Sequence, residues 1–578
     1  MSEVIERRQG VISPALRDAS LPRALKQIYA NRGVDNLNDI SLPLNQLLPP
    51  SALKGAQEAA EMLADAIEFQ ASVVIVGDFD ADGATSCALA VSLLKQMGLE
   101  EVTYLVPNRF EYGYGLTPEI VGIAAQYQPD VLMTVDNGIA SFDGVMAARM
   151  LGMSVIVTDH HLPGAELPEA DIIVNPNQPG CSFPSKALAG VGVMFYVLTA
   201  LRAELRQRGW FETMGIEMPN LADALDLVAL GTVADVVPLD KNNRTLVAAG
   251  IARMRAGRAR PGIEALFEVA GRDIRLVSST DLGFIAGPRI NAAGRLDDIS
   301  VGIECLLSES SFAARELATQ LNDYNRERRD IETSMQADAL AALLENGTFS
   351  VSDTDFALSL YQADWHQGVV GILASRIRER FHRPTLIFAQ AGDGELKGSG
   401  RSIPGFHLRD ALDRVATLNP GLISKFGGHA MAAGLSLVEK NLPQFRDAFN
   451  CVASEAMNGT LPDQVHLTDG ALEAVDMTLQ LAEAIESGGP WGQAFEAPSF
   501  DGVFGIGDMR VVGEKHLKFR LITDVGTLDA IAFNADVDCW MADRPTAVRC
   551  VYRPSVNEYR GERKLQLQLD TIWPAQSH

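Results

Sequence analysis

The stretch that most constrains this chain is Val73 to Thr85, VVIVGDFDADGAT. Val73 to Val76 is a short continuous apolar run of the kind that forms a fully buried strand. Gly77 ends it, and three alternating carboxylates follow, Asp78, Asp80 and Asp82. Gly83 then turns the chain into an apolar helix predicted from Ala84 to Met97. In an open parallel sheet, ligands bind where strands end and helices begin. Acids packed this closely repel one another unless a cation neutralises them. Hard carboxylate oxygens suit Mg²⁺ or Mn²⁺.

A single D-x-D also fits a solvated acidic turn, so the rest of the chain decides. Strands are predicted at Val102 to Val106, Val131 to Val135 and Ser154 to Thr158, with helices at Ala56 to Phe69, Ser141 to Leu151 and about Leu188 to Leu205. This alternation is that of a doubly wound α/β domain. The second of those strands ends in Asp136-Asn137-Gly138, and the third in Asp159-His160-His161. A last apolar run, Leu227 to Val233, leads to Asp235. Acidic or imidazole groups beside four successive apolar runs on one predicted sheet edge point to a metal cluster, with His160 read as a ligand.

At 578 residues the chain is expected to hold several domains, because single cores rarely grow past about 250–300 residues. The charged N-terminus MSEVIERRQG lacks the apolar segment of a signal peptide. No uninterrupted apolar run reaches the roughly 18–20 residues needed to span a bilayer. The six cysteines are scattered with no C-x-x-C pair, which suggests reduced thiols in a cytosolic protein and no zinc site. A net charge of −25 argues against broad coating of nucleic acid. Any polyanion must be met by cations concentrated in a confined groove.

The motifs carry a resemblance. DFDADG (Asp78 to Gly83), VDNG (Val135 to Gly138), TDHH (Thr158 to His161) and ALGTVADVVPL (Ala229 to Leu239) resemble the ordered motifs of the DHH phosphoesterase superfamily. GPRINAAGRLD (Gly287 to Asp297), GSGRS (Gly398 to Ser402) and KFGGHAMAAG (Lys425 to Gly434) resemble its RecJ family, bacterial 5′→3′ exonucleases of single-stranded DNA. The resemblance runs from about residue 55 to the C-terminus. It implies a doubly wound parallel-sheet DHH catalytic domain over 55–311 after a helical extension over 1–54, a connecting helix over 312–346, a smaller α/β DHHA1 domain over 347–460, and a linker with an all-β OB-fold barrel over 461–578.

The same resemblance implies two ions, Mn²⁺ or Mg²⁺. Asp80 and Asp82 would hold them, Asp136 would bridge them, and His160 and Asp235 would complete the second ion's shell. Asp78 would be a ligand of the first ion or a partner of one, and His161 would face the scissile phosphate. The mixed Asp/His set makes Mn²⁺ the tighter binder, imidazole being the softer ligand. Two such ions about 3.5–4 Å apart suit phosphodiester hydrolysis. The activity implied is release of 5′-mononucleotides in DNA repair and recombination. The protein is expected to be a cytoplasmic monomer that meets single-strand-binding protein and repair helicases.

Candidate DNA contacts follow from these motifs. GSGRS and FGGH are read as glycine-rich turns whose backbone N–H groups can cradle phosphate. Ser399, Arg401, Ser402, Gly427, Gly428 and His429 are the residues concerned, with Arg401 forking onto a terminal phosphate. Arg289, Asn291 and Arg295 are read in a Gly/Pro/Ala-rich loop open to the strand, and Arg109 joins them from PNRFEYGYGL. Trp365 fits base stacking and core packing equally. Beyond Pro498, alternating runs indicate a small antiparallel barrel, with Lys518 and Arg520 on the face opposite Leu517, Phe519 and Leu521. With Lys515, His516, Arg553, Arg560 and Arg563 they make either a solvated face or, in an otherwise acidic chain, a single-strand groove. Two other readings are weaker. A small-substrate DHH phosphoesterase needs no barrel, and a non-catalytic scaffold would have lost ligands that are all present here.

Overall fold

Val73–Gly77 (β1) is an inner strand of a five-stranded parallel sheet in the computed structural model. Its partners are Val102–Leu105 (β2), Val131–Val135 (β3), Ser154–Thr158 (β4) and Ile172–Val174 (β5), in the order β2-β1-β3-β4-β5. Every residue of β1 and β3 is buried, which is why both read as unbroken apolar runs. From β1 the chain goes out to β2 and returns to β3 on the other side. The strand order therefore reverses between β1 and β3, and the crevice at their carboxyl ends is a topological switch point.

The structure describes residues 3–108, 112, 115–344, 352, 354–392, 394–559 and 561–575. The candidate cations Arg109 and Arg560 lie outside them. Two compact units divide the chain. The larger holds Ile5–Gly294, Asp298–Asn322 and His466–His578; the smaller holds Met1–Val4, Arg295–Asp297 and Asp323–Val465. No described helix is long and apolar enough to cross a membrane.

In the larger unit, helix Ala81–Gln96 (α1) begins before the predicted Ala84 because Asp80 caps it, accepting from the N–H groups of Asp82 (2.9 Å) and Gly83 (3.1 Å). Asp82 is thereby a helical residue. Gly83 permits the turn, since a Cβ there would lie 2.3 Å from the Asp78 carbonyl oxygen. Helices Gly190–Gln207 (α2) and Leu225–Ala234 (α3) pack on α1. The apolar run before Asp235 is thus helix α3, not a strand on the sheet edge. Most of α3 is buried, so no polar face reveals its period, and such a run cannot be told from a buried strand. Helix Lys241–Arg255 (α4) follows.

GPRINAAGRLD is helical rather than an open loop: Gly287–Leu296 (α5) continues a π-helical turn at Leu282–Ala286. Gly294 lets it approach the Asp78–Asp82 turn, as a Cβ there would lie 2.0 Å from the Phe79 carbonyl oxygen. The N-terminal segment is not wholly helical either. It contains strand Glu3–Arg7 and helices Pro14–Asp18 and Arg23–Ala30. Buried Arg32 pairs with buried Asp469 (2.8 Å), and Arg7 with Asp501 (2.6 Å), tying this segment to the approach to the barrel.

The barrel is closed by Phe500–Val512, His516–Thr523, Gly526–Ala532, Ala547–Tyr559 and Glu562–Ala575. The first of these strands is additional to the alternating runs of the sequence. Leu517, Phe519 and Leu521 point inward and Lys518 and Arg520 outward, with the predicted alternation.

The smaller unit has a mixed sheet of Leu358–Tyr361 (β6), Thr385–Gly392 (β7), Glu395–Arg401 (β8), Lys425–Gly428 (β9) and Ala432–Val438 (β10), in the order β9-β10-β8-β7-β6. Only β6 and β7 run parallel. GSGRS is therefore not a turn. Gly398 to Arg401 lie in β8 between β7 and β10, and ladder pairing engages their backbone. Their glycines serve packing instead: a Cβ at Gly398 would meet Phe388 at 2.5 Å, and one at Gly400 would meet Leu386 at 2.6 Å. Gly427 and Gly428 lie on edge strand β9. Trp365 is buried in a core with Val369, Leu373 and Ile387, so the packing alternative holds.

Candidate metal centre

Asp78 follows β1, Asp80 and Asp82 open α1, Asp136 follows β3, Asp159 to His161 follow β4, and Asp235 caps the C-terminus of α3. Asp136 has φ +62°, in the left-handed region. A non-glycine residue there costs of order 1–3 kcal/mol and persists only where its surroundings hold it. Gly190 makes room for it, because a Cβ at Gly190 would lie 2.6 Å from the Asp136 Cβ. The result is three overlapping groups of candidate ligands. Ligand atoms of Asp78, Asp80 and Asp136 lie within 4.8 Å of one another, as do those of Asp82, His160 and Asp235, and those of Asp136, His160 and His161. His160 Nε2 is 3.0 Å from Asp136 Oδ1, 3.5 Å from Asp235 Oδ2 and 4.0 Å from Asp82 Oδ2.

Electrostatics show what this arrangement lacks. The N-terminus of α2 meets Asp82, whose Oδ2 accepts from Gly190 N (2.6 Å) and Oδ1 from Val191 N (2.9 Å). Even so, burial and the neighbouring Asp80 push the Asp82 carboxyl up to about 7. Burial, then the charge of Asp82, pushes Asp136 and Asp235 well above the usual carboxylate range. Burial and the adjacent His161 hold His160 down to about 4, so its imidazole is neutral. The ring bonds the backbone of Leu188, and Nε2 is buried without a hydrogen bond. The Nε2 lone pair thus faces carboxylates. Ionised together, these carboxylates would repel one another and the lone pair, so the metal-free site favours protonation. Divalent cations among them would take the protons' place as the neutralising charge. Carboxylates with one imidazole fit Mn²⁺ and, less tightly, Mg²⁺.

Asp159, counted by the sequence only among the acidic groups of the cluster, organises the histidines. Its Oδ1 accepts from His160 N (2.7 Å), His161 N (3.0 Å) and His161 Nδ1 (2.7 Å), and its Oδ2 from Ile139 N (2.9 Å). Burial alone would raise Asp159, but the hydrogen bond and charge of His161 outweigh it and hold the carboxyl low. Burial likewise opposes charge on His161, and Asp159 outweighs it, pushing that imidazole up to about 9. The adjacency in T-D-H-H was the available signal. Asn291 also holds backbone: its Oδ1 accepts from Ala81 N (2.8 Å), at the start of α1.

The other candidates fare unevenly. Arg289 is buried, donating to the Ile285 carbonyl (2.7 Å) and Asn322 Oδ1 (3.2 Å), so it braces helices and is not open to a strand. Ser402 is likewise buried, its hydroxyl donating to the Phe406 carbonyl (2.6 Å). In the smaller unit, Arg295 donates to the Gly368 carbonyl (3.1 Å). Arg401 donates to the Gly400 carbonyl (2.8 Å) and Ser399 Oγ (3.2 Å). Its guanidinium lies against the start of helix Val370–Phe381, where a Cβ at Gly371 would be 3.1 Å from Nη2. Gly427, Gly428 and His429 are exposed. On the barrel Lys515 and Arg520 are exposed, while Lys518 pairs with Asp529 (3.4 Å), Arg553 with Asp570 (2.7 Å) and Arg563 with Glu483 (2.9 Å).

Comparison with known proteins accounts for the assembly. Residues 72–232 match the DHH family N-terminal domain, 353–455 the DHHA1 domain and 468–571 the RecJ OB domain. Over 571 residues the chain is 53% identical to the single-stranded-DNA-specific exonuclease RecJ of Dickeya dadantii (strain 3937), covering 98% of this chain and 99% of that protein. The chain belongs to the RecJ family. Its identity to the RecJ of Escherichia coli (strain K12), also named a single-stranded-DNA-specific exonuclease, is 51%, with 98% and 99% coverage. The fold matches a crystal structure of Thermus thermophilus RecJ in complex with Mn²⁺ at TM-score 0.80 and 28% identity, covering 99% of this chain and 80% of that one. The corresponding RecJ structure with Mg²⁺ gives TM-score 0.74 at 27% identity, covering 99% and 79%. The parallel α/β sheet, the smaller α/β domain and the closed barrel are the RecJ architecture.

Proposed function

We propose that this chain is a metal-dependent, single-strand-specific DNA exonuclease that hydrolyses phosphodiester bonds from the 5′ end and releases 5′-mononucleotides, in DNA repair and recombination. The observation that carries this reading is the meeting of candidate ligand groups at Asp136. Asp78, Asp80 and Asp136 would hold one Mn²⁺ or Mg²⁺, and Asp82, His160 and Asp235, with Asp136, the other. Two such ions supply an activated water, charge relief on the phosphate oxygens and help for the leaving alkoxide. The chain's part is preorganisation. The α2 N-terminus orients Asp82, Asp159 fixes both histidines, and His161 presents a cationic imidazole to the phosphate.

Arg401, beside Ser399, reads the terminal phosphate in this proposal. Arg295, Gly427, Gly428 and His429 contact the strand, whereas Arg289, Asn291 and Ser402 act by holding backbone. Lys515, Lys518 and Arg520 track the strand along the barrel. The protein works as a cytoplasmic monomer alongside single-strand-binding protein and repair helicases.

The test is incubation with Mn²⁺ and 5′-labelled single strands, duplexes and dinucleotides. Labelled mononucleotide is expected at once from single strands alone, and EDTA should stop its release. Cleavage of dinucleotides with single strands left intact would overturn the reading.

A further inference from the structure

The turn at Trp491–Phe495 grips the backbone that carries Asp235, although nothing in it resembles a catalytic motif. Gly492 and Phe495 exchange backbone hydrogen bonds (3.0 and 3.1 Å), closing a tight turn. Gln493 O accepts from the N–H of buried Leu239 (2.7 Å), just beyond Asp235. Gly492 presses on the same residue, since a Cβ there would lie 2.7 Å from Leu239 Cδ1. On the other side, the Trp491 carbonyl accepts from Ser279 Oγ (2.7 Å). Ser279 precedes the π-helical turn that packs on the end of α3: ideal Cβ atoms at Gly283 and Gly287 would lie 3.4 Å from Val233 and 3.1 Å from Ala234.

The turn is itself held rigidly. Trp491 stacks on Phe495 (5.2 Å between centroids, 12°), and Tyr29 stacks on both. The Arg244 guanidinium of α4 lies 4.0 Å over Phe495, and Arg32 lies 5.3 Å over Trp491. What it grips needs holding. Val236, directly after Asp235, is β-branched yet has φ +62° and is 63% exposed. Its own side chain contributes little to maintaining that conformation, so neighbours must.

We infer that the Trp491–Phe495 turn is a clamp that sets the Asp235 carboxylate for the second metal ion, making Gly492 and Phe495 positioning residues. This rests on the proposed role of Asp235 as a ligand. The test uses the full-length protein and counts Mn²⁺ by isothermal titration. Gly492→Ala adds a methyl against Leu239, and Phe495→Leu removes the stack. Each should weaken one of two bound Mn²⁺ ions by about 10–100-fold, the range for outer-shell partners of metal ligands. The other ion and KM for single strands at saturating Mn²⁺ should stay within twofold, and Phe495→Tyr should restore wild-type binding. Asp235→Asn should lose the same ion. If Asp235→Asn loses an ion while both clamp variants, folded by circular dichroism, bind two with wild-type affinity, the clamp is refuted. Retention of both ions by Asp235→Asn refutes the ligand assignment, and the clamp with it.

Discussion

His160 Nε2 stands 3.0 Å from Asp136 Oδ1, a neutral imidazole nitrogen facing a buried carboxyl group. Asp136 groups with Asp78 and Asp80 on one side and with His160 and His161 on the other, and as the proposed shared ligand its removal should disable both ions together. Asp136→Ala is expected to lower cleavage by more than about 10³-fold, well beyond the cost of an outer-shell partner, while leaving fold and single-strand affinity near wild type. Steady-state rates beside filter-binding measurements check this.

Asp159→Asn separates positioning from ligation. The mutant loses the charge that holds His161 up to about 9, so the His161 imidazole should titrate nearer its ordinary value of about 6.5. NMR titration of metal-free protein reads this shift. kcat should fall about 10–100-fold.

The metal-free protein should lose stability between pH 7 and pH 9. Asp82, Asp136 and Asp235 have folded values raised above the ordinary carboxyl range. The folded form therefore binds protons that the unfolded chain has released, and the stability this gives is lost as pH rises from the ordinary carboxyl value to the folded one. That loss is already nearly complete near about 7 for Asp82 and continues higher for the others. The stability from His161 is complete below its ordinary value and is lost as pH rises through about 9. His160, held down to about 4, works the opposite way, but its effect is complete above about 6.5. Melting curves in EDTA should show Tm falling across this window, and saturating Mn²⁺ should flatten the trend.

Much of this site was legible because its strands are buried on both faces. Val131 to Val135 and Ser154 to Thr158 carry continuous apolar runs, and the acids fall at their ends. The support of Asp235 was not legible, because a helix buried all round carries no period. The glycines of GSGRS misled for a related reason. Glycine marks a turn or a close approach with equal force, and here Phe388 and Leu386 fill the space a Cβ would take. Asn291 and Gly190 act on residues far away in sequence, Ala81 and Asp136, and no local pattern reports such contacts.

Arg401 offers a test of end recognition. Loss of a charged hydrogen-bonding pair typically costs about 1.5–3 kcal/mol, or roughly 10–150-fold. Arg401→Ala should lower kcat/KM on 5′-phosphorylated strands by that order and on 5′-hydroxyl strands much less. Equal losses on both would remove Arg401 as the reader of the phosphate.

Charge on the barrel should affect long strands only. Replacing Lys515, Lys518 and Arg520 together by Ala should weaken binding of long single strands and shallow the log–log salt slope by about 2, at roughly 0.7 per lost phosphate contact. Turnover of short strands at saturation should be unchanged.

The central claim, two ions sharing Asp136, is tested most directly by Mn²⁺ titration followed by electron paramagnetic resonance. The wild-type protein should bind two Mn²⁺ ions per chain, and the second should bring the exchange-coupled spectrum of ions about 3.5–4 Å apart. Asp136→Asn should abolish that coupling. A single bound ion, or two ions with uncoupled spectra in the wild type, would contradict the account.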